Sequence, residues 1–158
     1  FGGAVSLALA GTEPPDTLGA IVTLAAPSDT KHLAILLSAM DPAIDRDGVG
    51  KVVIGGREWT ISREMLDDFR RYDLPELVTH IDRPTLLMHS PVDQTVGFDH
   101  ALRIMGLLQA SPRRSTPVSL LSIADADHLL SASGDDLHFA ASAAAAFIHR
   151  YRGKDGQP

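Results

Sequence analysis

An aspartate in "HSPVDQTV" and a histidine in "ADADHLL" are the two residues of this chain best placed to move a proton. Asp93 follows a short apolar run, Thr85 to His89, and His128 follows another, Pro117 to Ile123. Apolar runs of that length, punctuated on both sides, read as buried strands. In open parallel sheets, functional groups collect at the carboxyl ends of strands, and adjacent strands bring their loops side by side. A carboxylate beside an imidazole holds the ring's tautomer and stabilises its protonated form. Asp93 would in this way make His128 a general base.

Each residue also has a plainer reading. An Asp in a Pro-x-Asp segment is a common turn former. A His after a strand is often a surface or packing residue. Asp125 and Asp127 compete for the acid role, but they share the loop of His128, where a short tether works against a well-oriented pairing. His89 precedes the Asp93 loop and reads as a structural strand residue, with lining of the site as its lesser alternative. The other histidines receive no role.

An Asp–His pair needs a nucleophile, and the chain has no G-x-S-x-G. Ser6 falls inside the first helical stretch and Ser90 at the end of a strand. Neither sits on the sharp strand-to-helix turn that exposes a nucleophile. There is no Cys, which excludes disulfides, thiolate metal sites and a cysteine nucleophile. "GVGKVVIGG" fits neither the dinucleotide fingerprint nor the phosphate loop, and no H-E-x-x-H is present. No metal or other cofactor is expected.

To bring Asp93 and His128 together, the chain must form parallel strands joined by crossover helices. Residues 2–10 place Val5, Leu7 and Leu9 among small residues, a helix that can pack closely on a sheet; "GTEPPDT" stops it. Ala20 to Ala25 reads as the first buried strand. Ser28 to Met40 reads as a capped amphipathic helix, and Gly48 to Ser62 as two strand-like runs around Gly55 and Gly56, a hairpin signal. "SREMLDDFRRYD" reads as a charged helix and "LPELVTHIDRP" as a short helix or turn. Thr85 to His89, "GFDHALRIMGLLQASP", Pro117 to Ile123 and "DDLHFAASAAAAFIHRYR" then alternate strand and helix, and "GKDGQP" is a polar tail. This order implies an α/β domain over residues 1–152 with about three parallel strands, and a tail over 153–158. The strand Ala20 to Ala25 would present one unpaired apolar edge.

Composition narrows the partners. With 44% hydrophobic and 22% charged residues, a globular core is expected. A net charge of −6 with interspersed signs argues against a nucleic-acid surface. No apolar run reaches the roughly 18–20 residues of a membrane span, so no membrane partner is expected. The absence of Cys fits a reducing cytosol, and a cytoplasmic location is the expectation.

The opening stretch "FGGAVSLALAG" resembles the segment just after the nucleophile in the α/β-hydrolase superfamily, where the elbow reads G-x-S-x-G and the triad runs Ser, Asp, His. The resemblance covers nearly the whole chain. It implies a nucleophilic serine immediately before Phe1, with Gly2 at the last motif position. It also implies Asp93 and His128 as the acid and base, and the backbone N–H of Phe1 as an oxyanion-hole donor. Residues 28–81 look like a short cap between strands. Trp59, Met65, Leu66 and Phe69 in that cap either line an apolar acyl site or pack the cap onto the domain. "VVIGGREWTISREMLDDF", "TLLMHSPVDQTVGFDHALRI" and "ADADHLLS" resemble, more closely, the hydrolase half of fused α/β-hydrolase–OsmC-like proteins. The reactive cysteines of an OsmC-like domain are absent from this chain, so no peroxidase activity carries over.

The expectation is therefore a partial α/β-hydrolase fold. The chain would be the C-terminal portion of a serine hydrolase, or part of one interrupted at a modified serine, acting on a small-molecule ester or similar acyl substrate. The alternatives are another reaction class on the same fold (acyltransferase, dehalogenase or peptidase), a binding module that lost catalysis, and a complete non-catalytic three-stranded domain.

Overall fold

The structure is a computed structural model that describes residues 1–12, 14–54, 56–111 and 117–152. Gly55 of the expected turn and the 153–158 tail lie outside the described residues.

Among the described residues, twelve elements succeed one another: α1 (Gly2–Gly11), β1 (Ile21–Leu24), α2 (Thr30–Met40), α3 (Ala43–Asp47), β2 (Val49–Ile54), β3 (Arg57–Ser62), α4 (Arg63–Arg71), α5 (Leu74–Thr79), β4 (Thr85–His89), α6 (Phe98–Ala110), β5 (Val118–Ser122) and α7 (Gly134–Tyr151). Strands β1, β4 and β5 form one parallel sheet in the order β1-β4-β5, and β2 and β3 form a separate antiparallel hairpin. Every residue of β4 is buried, as expected of a strand with neighbours on both sides and helices on both faces.

Successive side chains of β4 alternate between the two faces. Leu87 packs with Leu7 of α1, Leu74 and Val78 of α5, and Ile104 and Leu108 of α6. Leu86 and Met88 pack on the other face with Ala140 and Phe147 of α7. At the carboxyl ends, Ala25 N–H donates to the Met88 carbonyl at 2.9 Å, and Ile123 N–H donates to the His89 carbonyl at 3.0 Å. These bonds carry the pairing past the strands and hold the three adjoining loops together.

Helix α1 lies close to its surroundings because two of its glycines permit it. A Cβ on Gly3 would stand 2.6 Å from the Cβ of Ala26, and one on Gly11 would collide with the Leu77 backbone. Gly2 has open space instead, so the close approach of the helix start rests on Gly3 rather than on both glycines.

Between β1 and β4 the chain makes an excursion with its own small core: Ala34, Leu37, Ile44, Val52, Ile61 and Leu66. Asp29 caps α2 by accepting from the backbone N–H of Lys31 and His32, and Ser62 caps α4 by accepting from that of Met65. Helix α5 belongs elsewhere, since Leu74, Val78 and Ile81 join the core beneath the sheet. The part that stands apart is therefore α2 to α4. Within it, Leu66 is buried in the excursion's core, Met65 and Phe69 pack against that core, and Trp59 is 45% exposed.

Candidate active site

Asp93 sits in the loop after β4 with its side chain fully enclosed. One carboxylate oxygen, Oδ1, accepts from the backbone N–H of Thr95 at 2.8 Å and of Val96 at 3.0 Å. This is the local bonding that Asp makes readily in turns. The other oxygen, Oδ2, lies 2.7 Å from Nδ1 of His128, in the loop after β5. Burial alone would raise the pKa of Asp93. The hydrogen bonds from Val96, His128 and Thr95 and the attraction of the His128 ring outweigh it, and the carboxyl is held below its ordinary value. An ionised carboxylate only accepts, so Nδ1 of His128 is the donor in this contact.

His128 is partly exposed and lines a cleft of about 520 Å³. Phe1, the N-cap residue of α1, lines the same cleft, as do Gln94, Thr95 and Val96 of the Asp93 loop. The Phe1 carbonyl accepts the first helical bonds, from Ala4 at 3.0 Å and Val5 at 3.2 Å. Three non-glycine residues around the site have left-handed backbones: Ala25 (φ 49°) in the cleft wall, and Asp125 (φ 58°) and Leu130 (φ 53°) on either side of His128. Such conformations cost about 1–3 kcal/mol each and cluster where a loop must hold one shape.

The rival acids have other employment. Asp127 accepts from the N–H groups of Leu129, Ser131 and Ala132 and from the Ser131 hydroxyl, which fastens the His128 loop to itself. Its bond from Ser131 heads the causes that lower its pKa. Asp125 supplies one of the left-handed turns. Ser90 is buried and accepts from Val92 N–H at 3.3 Å, shaping the turn before Asp93. Ser6 bonds back to the Gly2 carbonyl of its own helix.

Two side chains have partners that the sequence did not indicate, although His89 reads there as the structural strand residue it is. His89 is buried at 1% exposure; its Nε2 lies 2.8 Å from the Val96 carbonyl and 3.5 Å from Oδ2 of Asp93. It thus braces the Asp93 loop from beneath the site. Ser28, buried at the start of the excursion, meets Nδ1 of His100 in α6 with both its N–H (3.1 Å) and its hydroxyl (2.9 Å). The backbone N–H is an obligatory donor, so that nitrogen is an acceptor and the pair is a tether. Burial, with His89, His32 and Arg103 nearby, lowers the pKa of His100 against the opposing pull of Asp99. Only a residue's partners in space distinguish these roles from those of any other buried His or Ser. Among the described residues, no group of His, Asp and Glu could hold a metal ion. No described helix is long and apolar enough to cross a membrane.

A parallel sheet flanked by helices, with an acid and a histidine at adjacent strand ends, defines the chain as an α/β hydrolase in fold. The model of the prolyl oligopeptidase family, peptidase S9, matches residues 48–155, and the chain belongs to that family. Its fold is similar to that of the esterase domain of a Rhodothermus marinus protein, with 32% identity and a TM-score of 0.73 over 96% of this chain and 59% of that one. It is also similar to a putative hydrolase from Agrobacterium vitis S4, at 23% identity and TM-score 0.66, over 93% of this chain and 58% of that one. Est1E from Butyrivibrio proteoclasticus, solved with ferulic acid bound, shares the fold at 15% identity and TM-score 0.69, over 96% of this chain and 57% of that one. The chain thus spans less than two thirds of the length of these structures. None of the curated proteins matches it.

Proposed function

We propose that this chain carries the acid–base half of a serine hydrolase that cleaves an ester or similar acyl substrate. Asp93 is the orienting acid, His128 the general base, and a serine immediately before Phe1 the nucleophile. The observation that carries this reading is the 2.7 Å contact between Asp93 and His128 in a cleft that Phe1 also lines.

The chemistry is derived from those positions. His128 Nε2 takes the proton of the serine hydroxyl as its oxygen attacks the acyl carbon. Asp93 stabilises the imidazolium that forms and keeps Nδ1 protonated. The backbone N–H of Phe1, at the start of α1, has no partner within the helix and donates to the developing oxyanion, aided by the helix dipole. Collapse of the tetrahedral species expels the alcohol, which takes the proton from His128. Water then attacks the acyl-enzyme with His128 again acting as base, and the second tetrahedral species collapses to release the carboxylic acid as His128 returns the proton to the serine oxygen. The excursion α2 to α4 serves as the cap. A cytoplasmic location and the resemblance to OsmC-fused hydrolases remain part of this reading and rest on sequence alone.

A second reading, cleavage of a peptide amide, is favoured by membership of a peptidase family. The full-length protein should be labelled by a fluorophosphonate probe and should hydrolyse a p-nitrophenyl ester. Absence of labelling rejects the serine. Faster turnover of a peptide p-nitroanilide than of any ester would favour the second reading over the first.

A further inference from the structure

We propose that the cleft beside His128 receives an uncharged aliphatic group, the acyl chain of a medium-chain ester, and that α2 and the β2–β3 hairpin set how long that chain is. This rests on the reading of Asp93 and His128 as an acyl-transfer pair.

The wall of the cleft away from His128 is apolar throughout. Leu33, Leu36, Leu37 and Met40 line it from α2. Their spacing of three, four and seven residues makes one stripe along the helix. Val53, Ile54 and Trp59 complete that wall from the hairpin. Leu37 is buried, so the stripe is anchored in the excursion's own core. The stripe's Leu36 and Met40 are 48% and 52% exposed, and the hairpin's Val53 and Trp59 are 59% and 45% exposed. Four large apolar side chains left half in water around one cleft form the kind of surface that an apolar ligand covers.

Among the described residues that line this cleft, none is Asp, Glu, Lys or Arg. A charged substrate group entering it would lose its hydration without a partner, which excludes such groups strongly. The polar side chains at the cleft are Gln94, Thr95 and His128, and all three belong to the Asp93 loop or bond to it. The cleft therefore has a polar end where the acyl carbon must react and an apolar end formed by the excursion. A linear acyl chain with its carbonyl at His128 fits that polarity; a peptide, with an N–H and a carbonyl at every residue, does not.

The test uses the full-length enzyme and p-nitrophenyl acetate, butanoate and octanoate. Each methylene that enters the cleft should raise kcat/KM about fourfold, the ratio that corresponds to about 0.8 kcal/mol per buried CH2. Leu36→Lys and Met40→Lys change half-exposed positions, and circular dichroism of each variant checks that the fold is kept. Each should lower the octanoate-to-acetate ratio at least tenfold. A flat chain-length profile, or an unchanged ratio in both variants, overturns the assignment. Trp59 lines the cleft and supplies a readout that needs no turnover, taken as the difference in emission between the wild type and Trp59→Phe. 1-Octanol should shift its emission to the blue, in a signal that Trp59→Phe removes. If no ester is turned over and no fluorophosphonate is bound, the serine-hydrolase reading fails. The cleft is then judged by the emission alone, and absence of that shift overturns it too.

Discussion

The strand-end site and the excursion above it are built on different principles. Asp93 and His128 leave the ends of two paired strands, one of them buried along its whole length, and every oxygen of Asp93 has a partner. The excursion has a core of six buried residues and is fastened at its edges by contacts in water, such as Lys31 to Asp73 at 2.7 Å. Its cleft-facing surface is apolar and half exposed. In the proposed mechanism proton transfer tolerates little misplacement, and its two residues lie in loops that leave the ends of the fully buried β4 and its neighbour β5. Selectivity for an apolar group asks only for shape and hydrophobicity, which a smaller unit supplies.

The widest separation between the regions should appear in rate. In the full-length enzyme, His128→Ala should reduce ester turnover by about 10⁴-fold or more, and Asp93→Asn by about 10⁴-fold because the wrong ring tautomer is held. A loss below tenfold in either variant, with the fold intact by circular dichroism, would remove that residue from the mechanism.

Stability should separate them next. Leu87, at 1% exposure, packs in the middle of the sheet, and Leu87→Ala should cost about 2–5 kcal/mol in a urea melt. Leu36→Ala on the cleft wall should stay within about 0.5 kcal/mol. Similar costs at the two positions would mean that the excursion is as tightly built as the sheet.

Acid should act on the strand-end site through Asp93. Its folded pKa is depressed below the reference value of 3.8, so its stabilising contribution is present above that value and is lost as pH falls through the folded pKa. The stability difference between the wild type and Asp93→Asn should therefore shrink as pH drops below about 4. A difference that stays constant from pH 6 to pH 3 would contradict the bonding described for this carboxylate.

The smallest effect belongs to the excursion's edge. Lys31 and Asp73 are both about half exposed, and Lys31→Ala should cost about 0.2–1 kcal/mol, fading in high salt. A larger, salt-independent cost would mean that α2 is held by this pair rather than by its buried face.

Much of this molecule is local, and local features were legible in the chain. Thr85 to His89 reads as a strand because a short apolar run is bounded by proline and polar turn residues, and β4 has those limits. The hairpin, the helix after Ser62 and the final Ala-rich helix are likewise dictated by punctuation, capping and propensity. Chain order and strand-end position also singled out Asp93 and His128. What the residues could not decide depended on which surfaces meet in space. The order β1-β4-β5 sets the 2.7 Å contact, and a single residue of slip in pairing would part the two loops. His89 became a brace for the Asp93 loop, and Ser28 a tether to α6, only through partners distant in sequence or across a turn. Helix α5 went to the main core, although it comes directly after the excursion, because its apolar face finds α1 and α6 there. Trp59 and Leu66, alike as apolar residues of one segment, parted into cleft wall and buried core. Propensity and periodicity act over a few residues, whereas burial is settled by the whole packed chain. The side of an element that faces the reaction is therefore a property of the tertiary structure.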